Sequence, residues 1–250
     1  MIKHYKFKLR HDGAQKINSN VAYPLYSELL KYVSADFAEA MHEQSFTPLS
    51  QHVELLNDTE IIWNVSLFGE ETINEISPKL ESLSDIKLET KEILLHTDEK
   101  IDESVITFDE IISEAANADD MVWQSIKLVS PTTFKSAGQY VLFPSSDLII
   151  KSLVSKWNFV CQDYTLDDED MLDMLLRGVK ISGYRLSSTA FRIKGQNIPS
   201  FVGNLKLNAR LSPPIMQIYK SLLLFGEYSG IGIKTALGMG GFELCRQLQK

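Results

Sequence analysis

The stretch Gly226-Glu-Tyr-Ser-Gly-Ile-Gly-Ile-Lys-Thr-Ala-Leu-Gly-Met-Gly-Gly241 holds six of the thirteen glycines in this chain of 250 residues. Glycine is used where the backbone must reach positive φ or approach another group closely. Such a loop can leave backbone N–H groups free for phosphate oxygens. Because the run also carries the cation Lys234 and the hydroxyls of Ser229 and Thr235, it predicts contact with an anionic ligand.

The flanks of this stretch exclude the usual nucleotide-binding motifs. An apolar, helix-periodic run from Ile215 to Phe225 precedes the glycines, and a short strand, Gly241–Cys245, follows them. The P-loop pattern G-x-x-x-x-G-K-[ST] and the dinucleotide pattern G-x-G-x-x-G both lie between a strand and the helix that follows it. Here the order is helix, glycine loop, strand, so neither pattern fits.

On the N-terminal side of this loop, the same order of strands and helices is predicted twice along the chain. In the second half, strands are predicted at Val122–Val129, Ile181–Ile193, Phe201–Leu211 and Gly241–Cys245, with helices over 144–159, 167–177 and 213–225. In the first half, strands are predicted at Lys3–Arg10, His52–Leu56, Ile61–Phe68 and Ile86–His96, with helices over 23–34 and 72–83. Each half reads β-α-β-β-α-β, with a first helical crossover that is enlarged to two helices in the second half.

This duplication predicts the fold class α+β, with tandem ferredoxin-like (RRM-like) β-α-β-β-α-β domains. We expect an N-terminal domain over residues 1–97 and an acidic connector over 98–120. A C-terminal domain over 121–250 then carries the glycine-rich loop. RNA-recognition modules use the same arrangement of strands and helices.

The net charge of −8 conceals a strong asymmetry. Residues 1–120 contain 24 acidic and 10 basic residues, whereas residues 121–250 contain 9 acidic and 15 basic ones. A locally basic surface attracts a phosphate backbone even when the whole chain is acidic. The alternative is a solvated face with an acidic partner surface.

Four segments together carry a resemblance to a known family. They are Phe37-Ala-Glu-Ala-Met-His-Glu43, Ser130-Pro-Thr-Thr-Phe-Lys135, Ser152-Leu-Val-Ser-Lys-Trp-Asn158 and the glycine run from Gly230 to Gly240. In this order they resemble the CRISPR-associated endoribonucleases of the RAMP superfamily, which process precursor repeat RNA. The resemblance covers most of the chain and implies the same tandem architecture.

The resemblance implies a metal-independent endoribonuclease that cleaves CRISPR repeat transcripts to guide RNAs. The adjacent 2′-OH would attack phosphorus and leave a 2′,3′-cyclic phosphate and a 5′-OH. The alternative is a non-catalytic RNA-binding RAMP subunit of a CRISPR effector complex. A small-molecule enzyme also remains open, because fold does not fix function.

The resemblance implies that His42 is the general acid or base, a role that suits a side chain titrating near neutrality. Phe37 and Met41 would face the core and direct His42 away from it; His52 is the fallback. The family often adds a tyrosine on the first helix to the site, and Tyr26 is the candidate for it. Tyr26 could instead be an ordinary buried aromatic residue. The family's lysine after the histidine is missing, so Lys156 is expected to stabilise charge from the other half, unless it is an ordinary exposed lysine.

For RNA binding we expect Lys234 together with cations of the paired strands, whose turn could enter a groove of a repeat hairpin. These cations could instead be solvated edge residues. The expected set is Lys234, Arg185, Arg192, Lys194 and Lys206, with Lys127 and Lys135 as additions and Gly230, Gly232, Gly238 and Gly240 forming the glycine-rich loop.

No cofactor and no metal are expected, because two cysteines and scattered histidines lack ligand spacing. Cys161 and Cys245 indicate no disulfide framework, so a reducing, cytoplasmic location is expected. No stretch is long enough for a membrane span. The expected partners are CRISPR repeat RNA, both precursor and mature guide RNA, and a type III effector complex, with a homodimer left open.

Overall fold

Alternating apolar residues open the chain and form its first strand, β1 (Ile2–His11), which buries Tyr5, Phe7 and Leu9 on one face. The strand predicted at Lys3–Arg10 is therefore confirmed. The structure, a computed structural model, describes residues 1–35, 37–39, 46–88, 92–118 and 125–245.

The remaining elements of the first half follow in chain order. They are α1 (Ala22–Leu30), β2 (Leu49–Leu55), β3 (Glu60–Phe68), α2 (Glu70–Glu81), β4 (Asp85–Leu88) and β5 (Ile93–Ile106). The strands pair antiparallel in the order β2-β3-β1-β5-β4, which we call the first sheet. Its core contains Trp63 and the apolar faces of both helices.

The single strand predicted over 86–96 is wrong. The structure has β4 and β5 there, and β5 continues to Ile106, into the acidic segment that was expected to connect the halves. Two acidic residues of β5 lie directly opposite lysines of β1, Asp102 opposite Lys6 and Glu99 opposite Lys8, so a charged strand is stable here. The helix after it, α3 (Phe108–Asn117), begins at a capping box formed by Thr107 and Glu110.

The second half repeats the pattern with extra elements. They are β6 (Ser125–Thr132), β7 (Phe134–Ser136), β8 (Gln139–Val141), α4 (Ser146–Val160), α5 (Glu169–Gly178), β9 (Val179–Ile193), β10 (Gln196–Ala209), α6 (Pro213–Ser229) and β11 (Phe242–Leu244). Strands β6, β9, β10 and β11 form the second sheet in the order β11-β6-β10-β9. The β7–β8 hairpin, which sequence reasoning missed, stands apart from it.

Both sheets have the ferredoxin-like strand order. Within each β-α-β-β-α-β unit the first strand lies between the third and the fourth, and β5 takes the fourth place in the first sheet. The expected tandem α+β fold is confirmed.

The two halves share apolar surface. Ile2 and Phe68 of the first half lie in the core of the second, where the rings of Phe68 and Phe225 are 5.9 Å apart. Conversely, Phe191 and Met239 of the second half lie in the core of the first. A site between the halves is therefore built on one packed body.

Candidate nucleic-acid interface

A cleft of about 1080 Å³ opens between the two halves. Its walls come from α1 and residues 46–47 of the first half, and from the β7–β8 hairpin, α4, the β9–β10 turn and residues 232–237 of the second. We call this volume the cleft. Because distant parts of the sequence meet there, both halves can act on one ligand in the cleft.

The cleft is lined by cations. Among the described residues, five lysines line it and no aspartate or glutamate does; the lysines are Lys135, Lys151, Lys156, Lys194 and Lys234. A concave surface of one charge sign concentrates ligands of the opposite sign. The cleft thus suits a polyanion, although the whole chain has a net charge of −8.

The glycine loop, residues 230–241, is bonded to the other two motifs of the second half. Gly232 N–H donates to Ser152 Oγ on α4 at 2.8 Å, and Gly241 N–H donates to Ser130 Oγ at 2.9 Å. Backbone carbonyls at the end of β6 and just after it accept more of the loop's N–H groups; these pairs are Gly240 to Pro131 at 3.0 Å and Ile233 to Thr133 at 3.1 Å. The motif resemblance thus corresponds to one hydrogen-bonded unit.

The loop's glycines serve close packing within the protein. A Cβ on Gly232 would lie 2.2 Å from the Thr133 carbonyl oxygen. A Cβ on Gly238, which has φ of 111°, would lie 2.2 Å from Ala22 Cβ of α1. The expectation that this loop leaves its N–H groups free is therefore wrong for the N–H groups of Gly232 and Gly240, since they bond internally.

Lys234 lies at the turn of the loop that faces the cleft. Its backbone is left-handed, with φ of 59°, and it precedes the short helical turn Thr235–Leu237. Its carbonyl accepts the N–H groups of Leu237 at 2.9 Å and Met239 at 3.3 Å. The exposed side chain is thus fixed at its base while its ammonium remains accessible to a ligand.

Lys156 is not the exposed helical lysine that was the alternative reading. It is 5% exposed, and its Nζ donates to the carbonyls of Gly230 at 2.8 Å and Ser229 at 3.3 Å. Burial lowers the pKa of Lys156 well below its ordinary value. The Nζ also lies 5.8 Å from the ring of Phe46, so Lys156 joins the end of α6, the glycine loop and the first half.

Two tyrosines of α1 line the cleft. The predicted Tyr26 is 7% exposed, and Tyr23 lies one turn before it. Burial raises the pKa of Tyr26, with a smaller contribution from Tyr23. Its hydroxyl therefore stays protonated at neutral pH and can donate a hydrogen bond.

The predicted His42 lies outside the described residues. Of its motif, Phe37 is described: it is 6% exposed in the first core, as expected. Ser34 caps this helical turn by accepting the Phe37 N–H at 3.3 Å. The fallback His52 is 7% exposed on β2, packs against Gly241 and is not among the residues lining the cleft.

His4, on β1, is partly buried and contacts both halves. Its Nδ1 lies 3.0 Å from Ser66 Oγ, and its ring meets that of Tyr228 edge-on at 5.4 Å. Burial, with repulsion from His52 as a smaller cause, lowers the pKa of His4 to about 4. It is neutral at physiological pH and sits between the halves.

The predicted RNA-binding cations separate into two groups. Lys194, in the β9–β10 turn with φ of 47°, lines the cleft with Lys234 and Lys135. Arg185 and Lys206 lie on the outer face of the second sheet. Leu205 is buried on the inner face, so Lys206, the next residue of β10, points outward. Arg185 pairs with Asn204, which precedes Leu205 and also points outward.

Lys127 shares that outer face and lies 3.6 Å from Glu243. Arg192 donates its backbone N–H to Asn20 Oδ1 at 2.7 Å. The structure thus brings together Lys135, Lys194 and Lys234 but not the whole predicted set.

Sequence reasoning missed Tyr23, Phe46 and Lys151 in the cleft. Phe46 packs edge-on against Phe159 of α4 at 5.1 Å, which fixes one wall. Lys151 lies on α4 five residues before Lys156, a spacing that does not place two side chains on one helix face, so helical periodicity does not single it out.

A buried amide ties α1 to the glycine loop. Gln51 of β2, 1% exposed, donates through Nε2 to the carbonyls of Ala22 at 2.9 Å and Ala236 at 3.1 Å. Its Oε1 accepts the Trp63 Nε1–H at 2.9 Å. These bonds fix the distance between the tyrosine wall and the Lys234 wall of the cleft.

None of the helices in the described part of the chain combines the length and apolarity needed to cross a bilayer.

Comparison with known proteins gives concordant matches. A family model described as CRISPR-associated endoribonuclease Cas6 matches residues 126–242. A CRISPR-associated endoribonuclease Cas6 from Streptococcus thermophilus is 31% identical over 225 residues, which cover 90% of this chain and 91% of that protein.

Solved structures extend the likeness to the fold. A Cas6 product complex is similar with a TM-score of 0.78 at 18% identity, covering 98% of this chain and 99% of that one. A Cas6 mutant with a histidine replaced by alanine has a TM-score of 0.74 at 17% identity, covering 98% and 99%. The likeness spans both halves.

Proposed function

The chain belongs to the CRISPR-associated endoribonuclease Cas6 family, and we propose that it cleaves CRISPR repeat RNA in the cleft between its halves. In this proposal no metal ion takes part. The 2′-OH next to the scissile bond attacks phosphorus, leaving a 2′,3′-cyclic phosphate and a 5′-OH. The observation that carries the proposal is the lysine-lined cleft, whose walls come from both halves.

Binding rests on the cleft lysines. Lys135, Lys151, Lys194 and Lys234 offer ammonium groups to successive phosphates, and each neutralised phosphate releases counterions. Proteins hold folded RNA mainly by its shape and backbone. Arg185 and Lys206 on the outer face of the second sheet would contact RNA that extends beyond the cleft.

His42 is the proposed proton carrier. Phe46, four residues later in the sequence, lines the cleft, and Phe37 before it is anchored in the core. One of the similar solved structures is a Cas6 variant in which a histidine is replaced by alanine, so a histidine is the residue type to test here. A positioned imidazole contributes about 10²- to 10⁴-fold to such a proton transfer.

Charge on the phosphorane is the remaining requirement. In this proposal the Tyr26 hydroxyl and the Lys234 ammonium donate to it, and both residues line the cleft. Burial lowers the pKa of Lys156 well below its ordinary value, and a nearby phosphate would favour its charged form. We therefore retain Lys156 as a third group that could stabilise this charge.

The test is cleavage of repeat RNA in EDTA with identification of the product ends. We expect cyclic phosphate and 5′-OH ends, and RNA with a 2′-deoxy at the scissile nucleotide should bind but stay intact. His42→Ala should lose about 10²- to 10⁴-fold in rate, while His11→Ala, outside the cleft lining, should cleave normally. Binding without cleavage by the wild type would instead identify a non-catalytic RNA-binding subunit, and full activity of His42→Ala would remove His42 from this role.

The proposal includes a cellular setting. Two free cysteines fit a reducing cytoplasm, and the mature guide RNA would pass to a type III effector complex. A homodimer would be detected by the mass of the protein in solution, with and without RNA.

A further inference from the structure

Two aromatic side chains outside the cleft are unusually exposed. Phe143 is 71% exposed and Tyr184 is 64% exposed. Their ring centroids are 6.4 Å apart at an interplanar angle of 89°. Residues distant in sequence thus form one aromatic pair whose ring surfaces largely face water.

Regular elements flank both members of this pair. Phe143 lies between β8 and Ser145, whose side chain caps α4 by accepting the Leu148 N–H at 3.2 Å. Tyr184 lies on β9, the edge strand of the second sheet, opposite the buried Leu205. Phe143 is therefore presented by the short segment that leads into the capped start of α4, and Tyr184 by a paired edge strand.

The pair continues one wall of the cleft. Tyr140, three residues before Phe143, lines the cleft, so its backbone lies at most about 11 Å from that of Phe143. On β7 its cross-strand neighbour is Lys135, also a cleft residue. A chain of nucleotides leaving the cleft along this hairpin would meet the aromatic pair next.

We infer that Phe143 and Tyr184 form a stacking site for unpaired bases of the bound RNA. The inference rests on the proposed function, because it needs RNA in the cleft. Every base offers a π face, so stacking on aromatic rings is tolerant of sequence and contributes about 1–3 kcal/mol per base. The neighbouring lysines favour a nucleic acid over an apolar protein segment, since they supply partners for its phosphates.

The experiment measures the affinity of single-stranded RNA that extends past the cleavage site, and of the same RNA with abasic riboses in the extension. Phe143→Ala and Tyr184→Ala should each weaken binding of the base-bearing RNA by about 5- to 150-fold, the equivalent of 1–3 kcal/mol. Tyr184→Phe should restore binding, because the ring remains. Tyr32→Ala, which removes a 53% exposed ring under Lys79 on the first half, is the matched control and should bind normally.

The abasic RNA separates stacking from other causes. The wild type should bind the abasic RNA as weakly as the double variant, Phe143→Ala with Tyr184→Ala, binds the base-bearing RNA. The double variant should bind the two RNAs equally. Wild-type affinity in both alanine variants, or equal binding of the two RNAs by the wild type, would overturn the inference while leaving cleft binding intact. Failure of the wild type to bind either RNA would overturn the proposed function and this inference with it.

Discussion

Replacing Gln51 by leucine is expected to separate the two walls of the cleft. The side chain is 1% exposed and bonds three groups, the carbonyls of Ala22 and Ala236 and the Trp63 indole N–H. Leucine fills similar volume but bonds none of them. Ala22 is the first residue of α1, the helix that carries Tyr23 and Tyr26, and Ala236 lies in the turn after Lys234. The stability of the protein and its affinity for RNA should therefore fall together.

The magnitude follows from the groups that lose a partner. A buried donor or acceptor left without a partner costs about 1–3 kcal/mol. The Trp63 indole N–H and the Ala236 carbonyl lose theirs, whereas the Ala22 carbonyl keeps its bond within α1. Even at the low end, two such groups lower the free energy of unfolding by about 2 kcal/mol. With a urea slope of about 1–3 kcal/mol per molar, the midpoint falls by about 0.7 M or more.

The assay is urea unfolding followed by circular dichroism, with RNA affinity measured on the folded fraction. Gln15→Leu, an exposed glutamine in the loop after β1, is the control and should unfold like the wild type. If the free energy of unfolding of Gln51→Leu fell by less than about 1 kcal/mol, the Gln51 bonds would not hold the two walls together, because one unsatisfied group alone costs that much.

Three further outcomes are expected. Gly238→Ala, whose Cβ would lie 2.2 Å from Ala22 Cβ at φ of 111°, should destabilise far more than Gly183→Ala, where the Cβ meets atoms no closer than 3.7 Å; thermal unfolding compares them. Lys234→Glu should weaken RNA binding and flatten the slope of log affinity against log salt by about 0.7 per lost phosphate contact; an unchanged slope would argue against Lys234. Because burial lowers the pKa of His4 to about 4, the folded chain binds fewer protons than the unfolded one below about pH 6.5. Stability should then fall by up to about 3 kcal/mol from pH 6.5 to 4, and His4→Gln should flatten this pH dependence of unfolding.

Much of the fold was predictable because its strands and helices are strongly periodic. The alternation in β1 and the apolar run of α6 each indicate one element, and the structure confirms both. The hairpin β7–β8 was not predictable in this way. Its strands are three residues each, too short for a period, and only Gly138 marks its turn.

The site was predictable in its residue types but not in its assembly. The basic C-terminal part and the glycine run pointed to Lys194 and Lys234, and both line the cleft. Phe46 and Tyr23 join them only through packing between the halves, which no local pattern encodes. The glycines were expected to meet a ligand, whereas Gly232 is required by its contact with the Thr133 carbonyl, a contact set by tertiary structure.

The decisive experiment is a structure of the protein bound to repeat RNA with a single 2′-deoxy at the cleavage site. We expect the scissile phosphate in the cleft, between Lys234 and Tyr26, with the downstream backbone following the lysine wall. RNA bound away from the cleft, with Lys234 and Tyr26 making no contact to it, would mean that cleavage does not take place between the two halves.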